Sequence, residues 1–220
     1  MTSAASSRTS SGTARLPRSQ RRQMLLDAAR EVFVSCGYHA AAMDDIAARA
    51  GVSKPVLYQH FPGKLPLYLA LLDASADALV ESIAVALAST TDNQLRVEAT
   101  VRAYFDYISD EHGAFRLVFE SDLTSEPSVR ERVDRVNLAC AEAVSDVIAE
   151  DTGFDTDAAM LLAAGLTGSA HVAARWWLTH SGRVSRTDAE DLVSALSWRG
   201  ISGFPRSEDG SAHVVGGVGN

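Results

Sequence analysis

Cysteine is scarce: two residues, Cys36 and Cys140, stand far apart in a chain of 220 and in no CxxC pair. Neither a disulfide framework nor a zinc site is suggested, so both read as small buried hydrophobes, with a redox-sensing thiol as the alternative. No apolar run approaches the roughly 20 residues a membrane span needs. The N-terminal stretch MTSAASSRTSSGTARLPRSQRR has no apolar core of the secretory type. A cytoplasmic protein with no membrane partner is expected. The signatures GxSxG, HExxH, GxGxxG and the P-loop are missing in any suitable context, and six histidines are scattered without metal-ligand spacing. Neither an enzyme nor a cofactor or metal site is expected. Lysine is the rarest charge: of 20 basic residues only Lys54 and Lys64 are lysines.

What is present reads as an ordinary globular chain, 46% hydrophobic and 22% charged. The net charge of −8 argues against nucleic acid until it is divided along the chain. Residues 1–64 carry nine Lys and Arg against four acids, a balance of +5, which leaves −13 on the rest. A basic head on an acidic body confines a polyanion contact to one end.

Periodicity predicts an all-α fold of about nine helices. Met24, Leu25, Ala28, Ala29, Val32 and Phe33 recur at spacings of three and four, so a first helix runs from Arg18 to Gly37. A short second helix spans 43–50. Ser53 is placed to cap a third at 54–60, with Pro55 in its first turn. Further helices are expected at about 64–89, 93–111, 114–121, 126–150, 155–181 and 187–202, with turn chemistry between them. The expected organisation is a flexible basic arm at 1–17 and a three-helix DNA-binding head at 18–64. A helical ligand-binding and dimerisation body follows at 65–204, then a glycine-rich disordered tail at 205–220.

The turn Ala50-Gly51-Val52-Ser53 between the second and third helices makes a helix-turn-helix: Gly51 permits a left-handed backbone and Val52 fills the corner. Both lysines flank the third helix, as if two compact charges were aimed at phosphates, solvated surface lysines being the competing reading. Tyr58 and His60 offer polar tips for phosphates or base edges, and Gln59 suits adenine. Val56, Leu57 and Phe61 supply packing. The run GYHAAAMDDIAARAGVSKPVLYQHFPGKLPLY, Gly37 to Tyr68, resembles the signature of the TetR family of bacterial regulators. The resemblance implies a recognition helix with Lys54, Pro55, Tyr58 and His60 facing DNA and Lys64 on a phosphate. Ala41 and Ala42 stand where the family often has Thr or Ser, so helix 2 lacks a hydroxyl cap, a role Asp44 is expected to replace in part.

In the body, AAMLLAAGLTGSAHVAARWW (158–177) is dense in small residues, with Gly165, Gly168, Ser169, Ala170, Ala173 and Ala174 inviting a partner helix. With 188–198 it is expected to form a four-helix dimer face, the mode the resemblance implies, or else a tightly packed internal core. Candidate ligand-binding residues are Tyr104, Phe105, Phe115, Phe119, Met160, His171, Arg175, Trp176 and Trp177, each with a place in the core as its alternative. His171 and Arg175 lie four apart and are expected to hold an acidic or hydrogen-bonding group, or to be dimer contacts. The function expected is a homodimeric repressor that binds a palindromic double-stranded DNA operator and is released by a small hydrophobic effector. A helical protein-interaction module without a DNA role is the alternative.

Overall fold

A computed structural model describes residues 17–109, 123, 125–180 and 182–201. Among them are eight α-helices and no strand: α1 (Arg18–Ala40), α2 (Met43–Arg49), α3 (Lys54–His60), α4 (Lys64–Ala88), α5 (Asn93–Ile108), α6 (Pro127–Thr152), α7 (Thr156–Thr179) and α8 (Arg186–Ile201). The helix expected at 114–121 lies outside the described residues, as do the tail at 205–220 and the arm up to residue 16.

Capping chemistry explains most of the boundaries. The Asp92 carboxylate accepts from the Leu95 N–H at 3.0 Å and starts α5, and Asp155 does the same for α7 through Ala158 at 2.8 Å. Pro127 sits in the first turn of α6, where its missing N–H costs nothing. The regular first helix breaks at Gly37 as expected, where the backbone takes φ 77°, and a short further helical stretch continues α1 to Ala40.

Helix α1, the two short helices α2 and α3, and the start of α4 bury one core. Leu25, Ala29 and Phe33 of α1 meet Ile46 of α2, Leu57 of α3, and Leu67, Tyr68 and Leu71 of α4. Phe33 and Tyr68 pack edge to face with centroids 5.0 Å apart. The same core continues into the body through Leu79, Ile83, Val101, Phe105 and Val136. There α4 packs on α5 and α6, α6 on α7, and α5 on α7 and α8. Among the described residues α4 packs both on α1 in the head and on α5 and α6 in the body, so a shift of α4 is felt by both halves.

On α7 the small residues divide between two faces. Ala159, Ala163 and Ala174 are buried within the chain, whereas Gly165, Gly168 and Ser169 are exposed. Large apolar residues flank the exposed row: Leu161 is 75% exposed and Val172 66%, and Leu192 and Leu196 on α8 are 64% and 70% exposed. Among the described residues no helix is long and apolar enough to cross a membrane.

Candidate nucleic-acid interface and ligand cavity

The helix-turn-helix forms as its glycine requires. Gly51 takes φ +65°, its N–H bonds the Ala48 carbonyl at 3.1 Å, and the Val52 N–H bonds Ala47 at 3.0 Å. Val52 is half-buried in the corner. One expected cap is corrected: Ser53 occupies the N-cap position of α3 but its hydroxyl makes no capping bond. Asp44 lies in the first turn of α2 as expected, beyond the capless Ala42, and its carboxylate also pairs with the Lys54 ammonium across the turn.

Leu57 anchors α3 to the core with no exposure, so the opposite face is turned outward: Lys54, Pro55, Tyr58 and Gln59 are exposed, Tyr58 by 47%. His60 is half-buried at the end of α3. Burial, then the positive charges of Arg18, Arg21 and Arg22, hold its imidazole below the ordinary histidine pKa. A neutral imidazole keeps one donor and one acceptor. The Lys54 ammonium is held above its ordinary range, chiefly by its hydrogen bond to Asp44.

Lys64 is placed differently from the expectation of a phosphate contact. Its ammonium donates to the carbonyls of Tyr38 at 2.8 Å, His39 at 3.1 Å and Ala41 at 2.8 Å, and lies 4.5 Å from the centre of the Tyr38 ring. An ammonium has three N–H groups, and all three are engaged. Lys64 therefore ties the first residue of α4 to the orphan carbonyls at the end of α1.

The cationic surface beside α3 comes instead from the start of α1. Arg18, Arg21 and Arg22 are spaced three and four apart, on one face, and their charges act on His60. The Arg22 guanidinium lies 4.7 Å from the centre of the Phe61 ring, immediately beyond the recognition helix. The local positive balance contained these arginines, but only the fold shows that they flank α3.

In the body, α4, α5, α6 and α7, with the end of α8, line a half-open cavity of about 560 Å³. That falls in the range of small-molecule sites, roughly 300–1,000 Å³. Leu79, Ile83, Val97, Val144 and Leu166 give it largely apolar walls. Within it the Tyr104 hydroxyl and His171 Nδ1 share a hydrogen bond of 2.6 Å. Burial, then the Arg175 charge, holds His171 below its ordinary pKa, and burial raises the Tyr104 phenol. The Cys140 thiol on the wall is pushed up to about 11 by burial. At neutral pH it stays protonated, which argues against a reactive thiol there.

Of the expected ligand-binding residues that are described, Tyr104 and His171 line this cavity and the others do not. Phe105 is fully buried in the core and packs on Trp177, whose Nε1–H donates to the Val184 carbonyl at 3.0 Å. Met160 is half-buried away from the cavity. Trp176 is half-exposed and stacks on His180 with centroids 4.5 Å apart. Arg175 is exposed, so it does not join His171 at the wall; one turn of α7 separates lining from solvent. Phe115 and Phe119 lie outside the described residues. Overlooked by sequence reasoning were Thr100 on the wall and, at one end, Arg96 with Asp151 at 3.0 Å. The spacing of Arg96, Thr100 and Tyr104, four residues apart each time, marks a polar row along one face of α5.

A Gly-turned helix pair with an exposed polar face, carried on a helical body, defines a helix-turn-helix DNA-binding regulator. Residues 25–71 match the family model of bacterial regulatory proteins, tetR family. The chain is 47% identical over 191 residues, 87% of each chain, to the HTH-type transcriptional activator FasR of Mycolicibacterium smegmatis. It belongs to the tetR family of DNA-binding transcriptional regulators. A TetR-like regulator structure from Rhodococcus sp. RHA1 superposes with TM-score 0.64 at 26% identity, covering 86% of this chain and 100% of that one. The fold also matches FadR of Bacillus subtilis, solved in complex with stearoyl-CoA, with TM-score 0.66 at 17% identity over 80% of this chain and 96% of that one.

Proposed function

We propose that the protein is a homodimer that binds a palindromic operator and whose hold on DNA is set by a small apolar effector in the body. The observation that carries this reading is the path of α4. It begins beside the recognition helix, tied to α1 by Lys64, and its later turns present Leu79, Ile83 and Leu87 to the cavity. A ligand that fits the cavity better in one position of α4 than in another shifts the head by that difference in affinity and by no more.

Dimerisation is supported by the exposed row of Leu161, Gly165, Gly168 and Val172 on α7 beside Leu192 and Leu196 on α8. Two helices from each copy packed there form a four-helix bundle, with small residues permitting close approach. The dimer also meets a need of the site, because one seven-residue recognition helix reads few bases and two on a dyad read a palindrome. The base-facing residues are Tyr58, Gln59 and His60. Lys54 and Pro55 stand at the front of the helix, and Arg18, Arg21 and Arg22 take phosphates.

The effector we infer is elongated and mostly apolar, which agrees with the cavity walls and with the stearoyl-CoA held by the FadR neighbour. Activation is favoured over the repression expected from sequence, because the relative at 47% identity is named an activator. Selection of sites from a random DNA pool by the full chain tests the reading. Enrichment of one palindrome, bound by a dimer and altered by Tyr58→Ala, is the expected result, and failure to select any site at moderate salt overturns it. No observation favours a protein-interaction module without a DNA role.

A further inference from the structure

Two polar residues on the cavity wall, Tyr104 and Thr100, carry hydrogen-bonding capacity that the protein leaves unused. Tyr104 spends one interaction on His171 Nδ1 at 2.6 Å. If the phenol donates, its oxygen can still accept; if the imidazole donates, the phenol O–H is still available. Thr100 stands one turn earlier on the same face of α5 and lines the same cavity. Its Oγ1 is buried and meets no hydrogen-bond partner. A threonine in a helix ordinarily returns its hydroxyl to a carbonyl of the preceding turn, and a buried polar atom left without a partner is destabilising. Because Thr100 itself lines the cavity, a ligand offering that hydroxyl a partner reaches it at the cost of a χ1 rotamer change and no more. Thr100 and Tyr104 are then neighbours at roughly 5–6 Å between Cβ atoms, near enough for one ligand oxygen to bridge them.

Packing alone does not call for this pair. Valine and phenylalanine fill the same volumes among Val97, Val101 and Ile83 without burying a hydroxyl. At the far end of the cavity, Arg96 and Asp151 pair at 3.0 Å, a separate polar site eight residues from Tyr104 along α5, about 12 Å of helix. The cavity thus offers polar contacts at one end and again within its apolar length.

We infer that the effector is an elongated apolar molecule that carries, besides its polar head, a hydroxyl group within its chain, recognised by Thr100 and Tyr104. The inference rests on the effector reading above and narrows it to a chemical class. A hydroxyl suits the pair because it donates and accepts at once. A plain chain leaves both protein groups unsatisfied, and a site built to bond a hydroxyl discriminates against the ligand that lacks it.

The test is a titration of the full-length protein, followed by tryptophan fluorescence because Trp198 lines the cavity. The probes are hexadecanoic acid and a set of monohydroxylated hexadecanoic acids that differ in hydroxyl position. One isomer is expected to bind on the order of tenfold more tightly than the plain acid, as two net hydrogen bonds imply. Thr100→Val and Tyr104→Phe each reduce that advantage and together erase it, read within each variant as the ratio of its affinity for the hydroxylated acid to its affinity for the plain one. Both substitutions keep the side-chain shape, and unchanged circular dichroism excludes a folding effect. Equal binding of all probes, or an advantage that survives the double substitution, overturns the hydroxyl inference and leaves the effector reading standing. Binding of no probe overturns both.

Discussion

Replacing Lys64 with methionine separates two roles that the sequence alone assigns to one residue. Its ammonium makes three hydrogen bonds to carbonyls of Tyr38, His39 and Ala41 at 2.8–3.1 Å. Hydrogen bonds to charged groups are worth about 1.5–3 kcal/mol each. Three bonds from one half-buried group are not independent, and water replaces part of what is lost, so about 3 kcal/mol is the expected cost of Lys64→Met. For a domain of this size about 1 kcal/mol moves Tm by 2–4 °C, which puts the loss at about 6–12 °C. Thermal unfolding followed by circular dichroism reads it directly. The salt dependence of DNA affinity is the counterpart measurement: a residue that touches a phosphate lowers the slope by about one when removed, and Lys64→Met is expected to leave it unchanged. A variant that melts within 2 °C of the parent while its salt slope falls by about one refutes the clamp and restores Lys64 to the DNA.

The opposite pattern is expected for the arginines of α1: Arg18→Ala and Arg21→Ala each lower the salt slope by about one with little change in Tm, as filter binding at several salt concentrations and a melt will show. Leu57, which has no exposure, makes the recognition helix depend on one buried side chain, so Leu57→Ala costs about 2–5 kcal/mol in denaturant unfolding. His171 imposes a pH dependence of known sign. Its folded pKa lies below the ordinary 6.5, chiefly through burial, so its contribution to stability is present above 6.5 and fades as pH falls and the unfolded state takes up the proton. Melts between pH 7.5 and 5 should lose Tm, and His171→Asn should lose less. Leu161→Glu with Leu196→Glu places charge on two exposed apolar residues, and sedimentation is expected to show monomer where the parent shows dimer.

Several features were legible along the chain because their causes are local. The turn at Gly51 needs a left-handed residue, and residue chemistry alone marks α3 as packed at Leu57 and open at Tyr58. The Gly37–Tyr68 signature belongs to the same class, since its elements lie within one stretch. The body was harder to read. Phe105, Trp176 and Tyr104 are all aromatic, yet the first is core, the second is half-exposed and only the third reaches the cavity. Tyr104 and Phe105 are adjacent on α5 and Trp176 stands on α7, and which side of each helix faces the cavity depends on the helices packed against it.

Sequence by itself determined the helical class, the helix-turn-helix and the concentration of positive charge in the head. Those follow from spacing, capping and composition, which act over a few residues. Tertiary structure alone decided what the rare lysines do and where the hydrogen-bonding groups of the body meet. Lys64 binds carbonyls 23 to 26 residues away, and Tyr104 meets His171 across 67 residues. No local pattern encodes such partners, because an unpaired donor finds its acceptor only after the helices have packed.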